Sequence, residues 1–265
     1  MGSLKRLNKP ITVLYLIDTS VSFSGSFLRG GAEKQLYLLA SSLDQEKFRP
    51  IIVQLSSDNS LPLITTNIVN LEIFHLPTRK FYSLYGICQF GRLSALAKSR
   101  KVDIIHTFFE KSEVMGWLAA RLSGIPVWVT SRRDLGFKRK GIYDKIFRLT
   151  SRDCKKCIAN CNAVRDQAIQ QENIPPEKIE VIYNGLDLSE YQQTLKNKSL
   201  REELGLLNGT PLVGLVANFN FEIKGHIYFL GAAKKILEEV PGAKFVLVGD
   251  GPLRPRYEWV ARELN

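Results

Sequence analysis

Two adjacent glycines near the start of the chain, Gly30 and Gly31, stand where an apolar strand gives way to an amphipathic helix. Glycines at a helix start let backbone N–H groups approach a ligand closely, and the helix dipole attracts anions to that place. Glu33, in the first turn, suits the same dipole. These residues predict a phosphate-facing turn, although a flexible loop before a helix explains a lone Gly-Gly pair equally well.

Two further anion-binding candidates occur near the end of the sequence. Lys224 and Gly225 come directly before a run with helical spacing, and Gly249 and Gly251 form a tight-turn sequence after an apolar run. A lysine is unfavourable at a helix start because of the dipole. A bound anion therefore accounts for Lys224 better than an ordinary surface role does.

An alternation of strands and helices must position these residues. Apolar, β-branched segments are separated by helical patterns of about ten to fifteen residues, which predicts βαβ units and a mostly parallel sheet. The predicted strands cover residues 11–17, 48–55, 71–76, 102–107, 126–130, 155–159, 179–183, 211–217 and 243–248. Ligands bind at the carboxyl ends of such strands. That edge is predicted to hold residues 19–33, 106–110, 130–134, 218–224 and 249–252.

The pattern changes after Asn184-Gly185, and we predict three segments. Residues 1–186 form an N-terminal domain, 187–209 a polar linker, and 210–265 a second βαβ series. Two strands with two helices are too few for a stable parallel α/β domain. The second domain is therefore expected to be incomplete, and two such domains in tandem imply a cleft between them.

The net charge of +11 is concentrated between Arg132 and Lys156, where ten basic residues face three acidic ones. Such a cluster is typical either of a solvated helix face or of contact with an anionic partner. No nucleic-acid-binding motif accompanies it, so a membrane surface is the favoured partner. No apolar run approaches the roughly 20 residues of a spanning helix, and no signal peptide is recognised. A cytoplasmic protein is expected, with peripheral contact on the inner face of the membrane.

The four cysteines leave two interpretations open. Cys154, Cys157 and Cys161 have a spacing that suggests metal binding, but a closed zinc site needs four ligands and no second pair follows. Cys157 also falls in a short predicted strand, where it would be a small buried hydrophobe. Structural, reduced cysteines and no metal are therefore expected.

Four motifs, in this order, resemble those of GT-B glycosyltransferases, and more narrowly the retaining family-four type known as glycosyl transferases group 1. They are Gly30-Gly31-Ala32-Glu33, Val181-Ile182-Tyr183-Asn184-Gly185-Leu186-Asp187, Lys224-Gly225-His226 and Val248-Gly249-Asp250-Gly251-Pro252. The resemblance implies two tandem Rossmann-like domains, the second incomplete. It also implies transfer of a sugar from a nucleotide-diphosphate sugar to a saccharide or lipid-linked acceptor, with retention of configuration and without a metal or cofactor.

The resemblance also implies roles for individual residues. The donor side would comprise Gly30, Gly31, Asn218, Lys224, Gly249 and Gly251, with Lys224 contacting the diphosphate. The acceptor side or cleft would comprise His106, Ser131, Arg132, Arg133 and Asp134. Either arginine could bind an acceptor phosphate or carboxylate, while Asp134 could instead pair with one of them. A structural role for His106 is equally open, and His226 is expected to pack or to face solvent.

Two departures from the family pattern favour an alternative. No arginine precedes Lys224 in its loop, and the family's glutamate pair would lie beyond Asn265. The chain is therefore expected to be a fragment or a decayed gene product. The alternative function is a truncated, non-catalytic binding module for an anionic sugar or lipid head group. A nicotinamide-dependent oxidoreductase would need G-x-G-x-x-G after the first strand, which this sequence does not supply.

Overall fold

A computed structural model describes residues 9–19, 23–24, 27–28, 31–56, 71–136, 141–188, 200–207 and 209–264. The chain divides into two compact units, Met1–Leu186 and Asp187–Asn265. The linker predicted for 187–209 stays a prediction, because residues 189–199 and 208 lie outside the described ranges.

The first unit contains a seven-stranded sheet in which every neighbouring pair of strands is parallel. Its strands are β1 (Ile11–Ile17), β4 (Phe48–Gln54), β5 (Glu72–His75), β6 (Ile104–Phe108), β7 (Val127–Arg132), β8 (Lys156–Ala159) and β9 (Ile179–Val181), and a short antiparallel pair is formed by β2 (Phe23–Ser24) and β3 (Phe27–Leu28). The order is β5-β4-β1-β6-β7-β8-β9. The strand order therefore reverses between β1 and β6, which is where open α/β sheets bind ligands.

Helices cover both faces of this sheet. They are α1 (Gly31–Ser42), α2 (Leu84–Ser99), α3 (Glu110–Ser123), α4 (Gly141–Thr150) and α5 (Asn162–Glu172). Strand β1 shows why: Leu14 and Leu16 are buried in a core shared with α2, α3 and α5, whereas Tyr15 and Ile17 are buried on the α1 side. Side chains alternate along a strand, so an all-apolar strand needs cover on both faces. The predicted parallel α/β architecture is confirmed.

Strand β7 is longer than the sequence pattern predicts. The prediction ended the strand at Thr130, but pairing with β8 continues through Ser131 and Arg132. The polar residues of this extension would ordinarily indicate a loop. They remain in the strand because Arg132 finds buried partners among the helices.

The second unit has a two-stranded parallel sheet of β10 (Leu212–Val216) and β11 (Lys244–Val248). Its helices are α6 (Leu200–Glu203), α7 (His226–Glu239) and α8 (Arg254–Glu263). Phe219, His226 and Tyr257 form a buried aromatic cluster, with the His226 ring centroid 4.6 Å from each of the other two. The His226 side chain is therefore packed in the interior of the second unit. This is one of the two roles that the sequence left open.

A close approach of α3 to the sheet generates a stability prediction. A Cβ on Gly116 would overlap Cγ2 of Thr107 and lie 3.2 Å from that of Ile105. We expect Gly116→Ala to lower the free energy of unfolding of the first unit by about 1–3 kcal/mol, as measured by urea denaturation. A Cβ on Gly91, in α2, meets open space. Gly91→Ala should instead raise this free energy by about 0.5–1 kcal/mol, and equal effects of the two changes would contradict the described packing.

Candidate functional site

A cavity of about 300 Å³ lies at the carboxyl edge of the first unit's sheet, on the α1 side. Its floor is made by His106, Ser131 and Ile158, which come from the adjacent strands β6, β7 and β8. The other lining residues are Gln35, Leu38, Leu39, Ser42, Phe108, Arg133, Ile182, Tyr183, Asn184 and Gly185. This position, next to the reversal of strand order, is the usual one for a ligand in an open α/β sheet.

His106 is a neutral hydrogen-bonding group in this cavity. Its Nε2 lies 2.8 Å from Ser131 Oγ, and its ring stacks on Phe108 with centroids 4.6 Å apart. Burial, and secondarily the charge of Arg133, lower the pKa of His106 to about 3. A neutral imidazole has one donor and one acceptor nitrogen. His106 is therefore suited to hydroxyl groups rather than to an anion.

Arg133 supplies the charge of the cavity. Its guanidinium lies 5.9 Å from the centre of the Phe108 ring, and burial lowers its pKa. No carboxylate is among the lining residues, and within the described ranges no ion pair to Arg133 is found. A partly buried cation without a counter-ion is costly, so an anion bound beside Arg133 would stabilise it, and the acceptor role of this residue stays a prediction.

Arg132, the last residue of β7, lies on the face of the strand opposite to Ser131. Its Nε donates to Glu172 at 2.7 Å and its Nη2 to Glu113 at 3.0 Å, and all three side chains are buried. Phe147 stacks against the guanidinium at 4.3 Å. Of the two arginines that the sequence left open as acceptor ligands, only Arg133 is in the cavity. The guanidinium of Arg132 instead joins β7 to α3 and α5.

Asp134 has a local role in the loop after β7. Its Oδ1 accepts a hydrogen bond from the backbone N–H of Gly136 at 2.6 Å. The carboxylate therefore closes a turn of the kind that Asp commonly forms. Pairing with a neighbouring arginine, which the sequence allowed, is not the arrangement in the structure.

Gln35 is a cavity residue that the sequence did not indicate. Its side-chain Nε2 donates to the carbonyl oxygen of Gly185 at 2.7 Å, and its Oε1 accepts from the Gly185 N–H at 3.0 Å. This pair of bonds fixes the segment after β9 against α1. The partners are 150 residues apart, so no local pattern could have revealed the contact.

Asp18 shapes the same edge of the sheet from the end of β1. Its carboxylate accepts backbone hydrogen bonds from Lys111 at 2.8 Å and Ser112 at 2.6 Å, which caps α3. Helix α3 begins at Glu110, and the carboxylate oxygens that cap it come from the end of a strand that is distant in the sequence. Burial raises the pKa of Asp18 to about 6, even though the backbone bonds favour the ionised form.

The predicted glycine turn is only partly within the described residues. Gly30 lies outside them, whereas Gly31 is the first residue of α1, and a Cβ there would meet nothing within 4 Å. The helix start predicted near Gly31 is confirmed. A ligand role for either glycine stays a prediction.

The donor-side candidates of the second unit gather where β10 and β11 end. Lys224 is exposed and closes a 3-10 turn, and Gly225, with a φ of 79°, leads into the N-terminus of α7. Nearby, the N–H of Phe219 donates to the carbonyl of Asp250 at 2.9 Å. Because β10 and β11 are parallel, both loops lie at one edge. Lys224 is thus adjacent in sequence to a helix N-terminus, whose dipole favours anions.

The turn at Gly249 and Gly251 requires glycine. Their φ angles are 147° and 153°, and a Cβ on Gly251 would lie 2.6 Å from the carbonyl carbon of Phe219. Asn218 belongs to the neighbouring loop, where its Oδ1 accepts from the N–H of Asn220 at 3.4 Å. The two glycines therefore let the loops after β10 and β11 pack directly on each other.

Two of the four cysteines lie in the core, whereas Cys88 is exposed and Cys161 is partly buried. Cys154 and Cys157 are buried, and burial raises the pKa of both thiols. Within the described ranges, no group of three or more His, Cys, Asp or Glu side chains could hold a metal ion. In the basic segment, Lys156 pairs with Glu180, and residues 137–140 lie outside the description. None of the described helices is long and apolar enough to cross a membrane.

A comparison with known protein families shows to which family the chain belongs. A family model described as Glycosyltransferase Family 4 matches residues 29–190, more than half of the chain. The chain belongs to Glycosyltransferase Family 4. The matched range contains the cavity residues from Gln35 to Gly185 and the start of α1.

Two relatives within the glycosyltransferases illustrate the extent of the match. The UDP-Gal:alpha-D-GlcNAc-diphosphoundecaprenol alpha-1,3-galactosyltransferase of Escherichia coli is 32% identical over 69% of this chain and 50% of its own length. The putative glycosyltransferase EpsF of Bacillus subtilis is 27% identical over 89% of this chain and 63% of its own length. The chain thus spans about half to two thirds of the length of these relatives.

Solved structures of similar fold confirm the GT-B, Rossmann-like architecture. Anabaena Alr3699/HepE in complex with UDP and glucose superposes with a TM-score of 0.71 at 20% identity, covering 96% of this chain and 65% of that one. Sucrose-phosphate synthase from Thermosynechococcus elongatus gives a TM-score of 0.74 at 16% identity, covering 96% and 68%. At such low sequence identities, the comparison shows a similarity of fold alone.

The buried, neutral state of His106 generates a pH prediction. Its pKa is about 3 in the folded chain and about 6.5 when unfolded, so its contribution to stability is complete above pH 6.5 and is lost as the pH falls. Asp18 acts in the opposite direction but is unchanged in a His106→Gln variant. We expect the difference in free energy of unfolding, wild type minus variant, to fall by about 2 kcal/mol between about pH 7.5 and about pH 5. Urea denaturation at both pH values measures it, and a constant difference would show that His106 is accessible to protons.

Proposed function

We propose that this chain takes part in transferring a hexose from a nucleotide-diphosphate sugar to a saccharide or lipid-linked acceptor, with retention of anomeric configuration. The observation that carries the proposal is the position of Lys224, directly before the N-terminus of α7 and in the loop after β10, whose residues Phe219 and Asn220 contact the Gly249–Gly251 turn. The setting would be polysaccharide or glycolipid biosynthesis, as in the relative that acts on a diphosphoundecaprenol-linked sugar.

The donor side of the proposal rests on charge stabilisation. A leaving nucleoside diphosphate gains negative charge in the transition state, and fixed positive groups stabilise that charge without a metal. Lys224 and the first N–H groups of α7 are such groups, and Gly249 and Gly251 let the backbone come close to a ligand. The donor is proposed to carry UDP, because the E. coli relative uses UDP-Gal and HepE binds UDP and glucose.

The acceptor side of the proposal rests on the cavity of the first unit. Ser131 and the neutral His106 offer hydroxyl-binding groups, and Arg133 offers a cation to a phosphate or carboxylate of the acceptor. Gln35 holds the Gly185 segment as part of the wall. A sugar linked to a lipid diphosphate carries both kinds of group. Such an acceptor would place the protein at the inner face of the membrane.

A second candidate function is a non-catalytic binding module for an anionic sugar or lipid head group. The cavity favours it, because Arg133 and His106 form an anion and hydroxyl site within the first unit alone. The two functions differ in donor binding. A module of this kind would bind an acceptor but not a nucleotide sugar.

The donor site generates a binding prediction for Lys224. We expect Lys224→Met to weaken binding of UDP-galactose or UDP-glucose by about 10- to 100-fold in calorimetric titration, since a hydrogen bond to a charged group contributes about 1.5–3 kcal/mol. Lys234→Met is the matched control, because Lys234 is an exposed lysine in the interior of α7. It should leave the affinity unchanged.

The same titration separates the two candidate functions. Transfer of labelled sugar to diphosphoundecaprenol-linked N-acetylglucosamine, together with donor binding that depends on Lys224, would support the transferase. If the wild-type chain bound the lipid-linked acceptor but neither nucleotide sugar, the binding module would replace it.

A further inference from the structure

One wall of the cavity in the first unit exposes apolar side chains. Leu39, in α1, is 39% exposed, and Ile182 and Tyr183, directly after β9, are 53% and 66% exposed, although all three line the cavity. Ligand sites typically combine apolar and aromatic walls with a few polar groups. The apolar wall, defined as Leu39, Ile182 and Tyr183, is therefore a surface that a bound ligand would cover.

The backbone that carries Tyr183 is held on both sides. The N–H of Ile182 donates to the carbonyl oxygen of Ala159 at 2.9 Å, which continues the pairing of β9 with β8. Two residues after Tyr183, the backbone of Gly185 exchanges two hydrogen bonds with the side chain of Gln35. Tyr183 thus lies between two anchored positions before any ligand is bound.

The phenol group of Tyr183 is held as well. Nδ2 of Asn162, the first residue of α5, donates a hydrogen bond to Tyr183 Oη at 3.3 Å. A tyrosine side chain has only two rotatable torsions, so little conformational entropy is lost when a ligand packs on its ring. The ring is therefore both exposed and preorganised, which suits it to bind a ligand by its face.

The same cavity contains polar groups of two kinds. Ser131 Oγ, 2.8 Å from Nε2 of the neutral His106, is a hydroxyl that can both donate and accept hydrogen bonds. Arg133 adds a cation, and none of the ion pairs among the described residues involves it. One cavity thus offers hydroxyl-binding groups, a cation and the aromatic ring of Tyr183.

A sugar phosphate has a group that complements each of these three features. A pyranose ring carries hydroxyls at its edge and C–H groups on its faces, so it can pack on an aromatic ring while its hydroxyls form hydrogen bonds. A purely apolar ligand would leave Arg133 without a counter-ion, and inorganic phosphate would leave the ring of Tyr183 uncovered. The cavity volume of about 300 Å³ is at the small end for ligand sites. This size favours one sugar with its phosphate over an oligosaccharide.

We propose that the cavity binds a single phosphate-linked hexose of the acceptor, and that Tyr183 stacks on its pyranose ring. The phosphate contacts Arg133, and the hydroxyls contact Ser131 and His106. Leu39 and Ile182 pack beside the ring. This inference rests on the proposed function, since it names the part of the acceptor that the first unit recognises.

Calorimetric titration of the full chain with N-acetylglucosamine 1-phosphate and with inorganic diphosphate tests the stacking. Tyr183→Ser should weaken binding of the sugar phosphate about tenfold, because the aromatic contact is lost. The same change should leave the affinity for diphosphate unchanged, since an anion on Arg133 does not need the ring. Tyr183→Phe keeps the ring and should retain most of the affinity for the sugar phosphate.

Two further variants locate the ligand. Arg133→Met should weaken binding of the sugar phosphate, because the counter-ion of its phosphate is removed. Tyr85→Ser is the matched control, because Tyr85 is an exposed tyrosine of the same unit that is not among the lining residues. It should leave both affinities unchanged. Since Tyr183 is mostly exposed, the urea midpoint of Tyr183→Ser should match that of the wild type.

A lipid-linked form of the ligand identifies its source. The wild-type chain should bind N-acetylglucosamine linked through diphosphate to a short prenyl chain as well as the free 1-phosphate. Tighter binding of the prenyl-linked form would assign the site to a lipid-linked acceptor, and equal binding to a sugar phosphate as such. In both cases Tyr183→Ser should lower the affinity.

Three outcomes would overturn the inference. The wild-type chain could fail to bind either sugar phosphate, or Tyr183→Ser could change the affinities for sugar phosphate and diphosphate equally. A lower urea midpoint of Tyr183→Ser without a selective loss of the sugar phosphate would make the ring a packing residue. No nucleotide sugar is present in these titrations, so a failure of donor binding, and with it of the transferase proposal, would be a separate result.

Discussion

The buried ion pairs of Arg132 with Glu113 and Glu172 constrain the geometry of the candidate acceptor site. Glu113 also accepts hydrogen bonds from the hydroxyls of Thr107 and Thr150, both at 3.2 Å. Buried charges are tolerated only when they are paired and hydrogen-bonded, and this network meets both conditions. It holds α3 and α5 against β7. Since side chains alternate along a strand, it also fixes the face of β7 that Ser131 occupies.

The cavity on the other face depends on this arrangement. Ser131, on the α1 side of β7, and Arg133, directly after the strand, line the cavity next to the neutral His106. A cation without a carboxylate beside a neutral imidazole is suited to a ligand that has both an anionic group and hydroxyls. The second unit combines a lysine with backbone groups. There, Lys224 directly precedes the N-terminus of α7, and the glycine turn after β11 packs on the loop after β10.

The periodic features of the sequence predicted the framework of the structure. The strands, their parallel arrangement and the start of α1 followed from apolar spacing and glycine, because these depend on neighbours along the chain. The different roles of Arg132 and Arg133 could not be predicted from these features. They depend on the extension of β7 by two residues beyond its apolar pattern, which occurs because Arg132 forms buried ion pairs with Glu113 and Glu172. The contacts of Gln35 with Gly185 and of Asp18 with α3 were also missed, since each joins residues more than 90 apart.

The two neighbouring arginines test the central claim that one holds the fold and the other serves the cavity. The measurement is the free energy of unfolding of Arg132→Met and Arg133→Met by urea denaturation at neutral pH. We expect a loss of about 3–5 kcal/mol for Arg132→Met, which leaves Glu113 and Glu172 buried without their cation. For Arg133→Met we expect a change of less than about 1 kcal/mol, because no described carboxylate depends on that residue. Equal losses, or a larger loss for Arg133→Met, would contradict this difference between the two arginines.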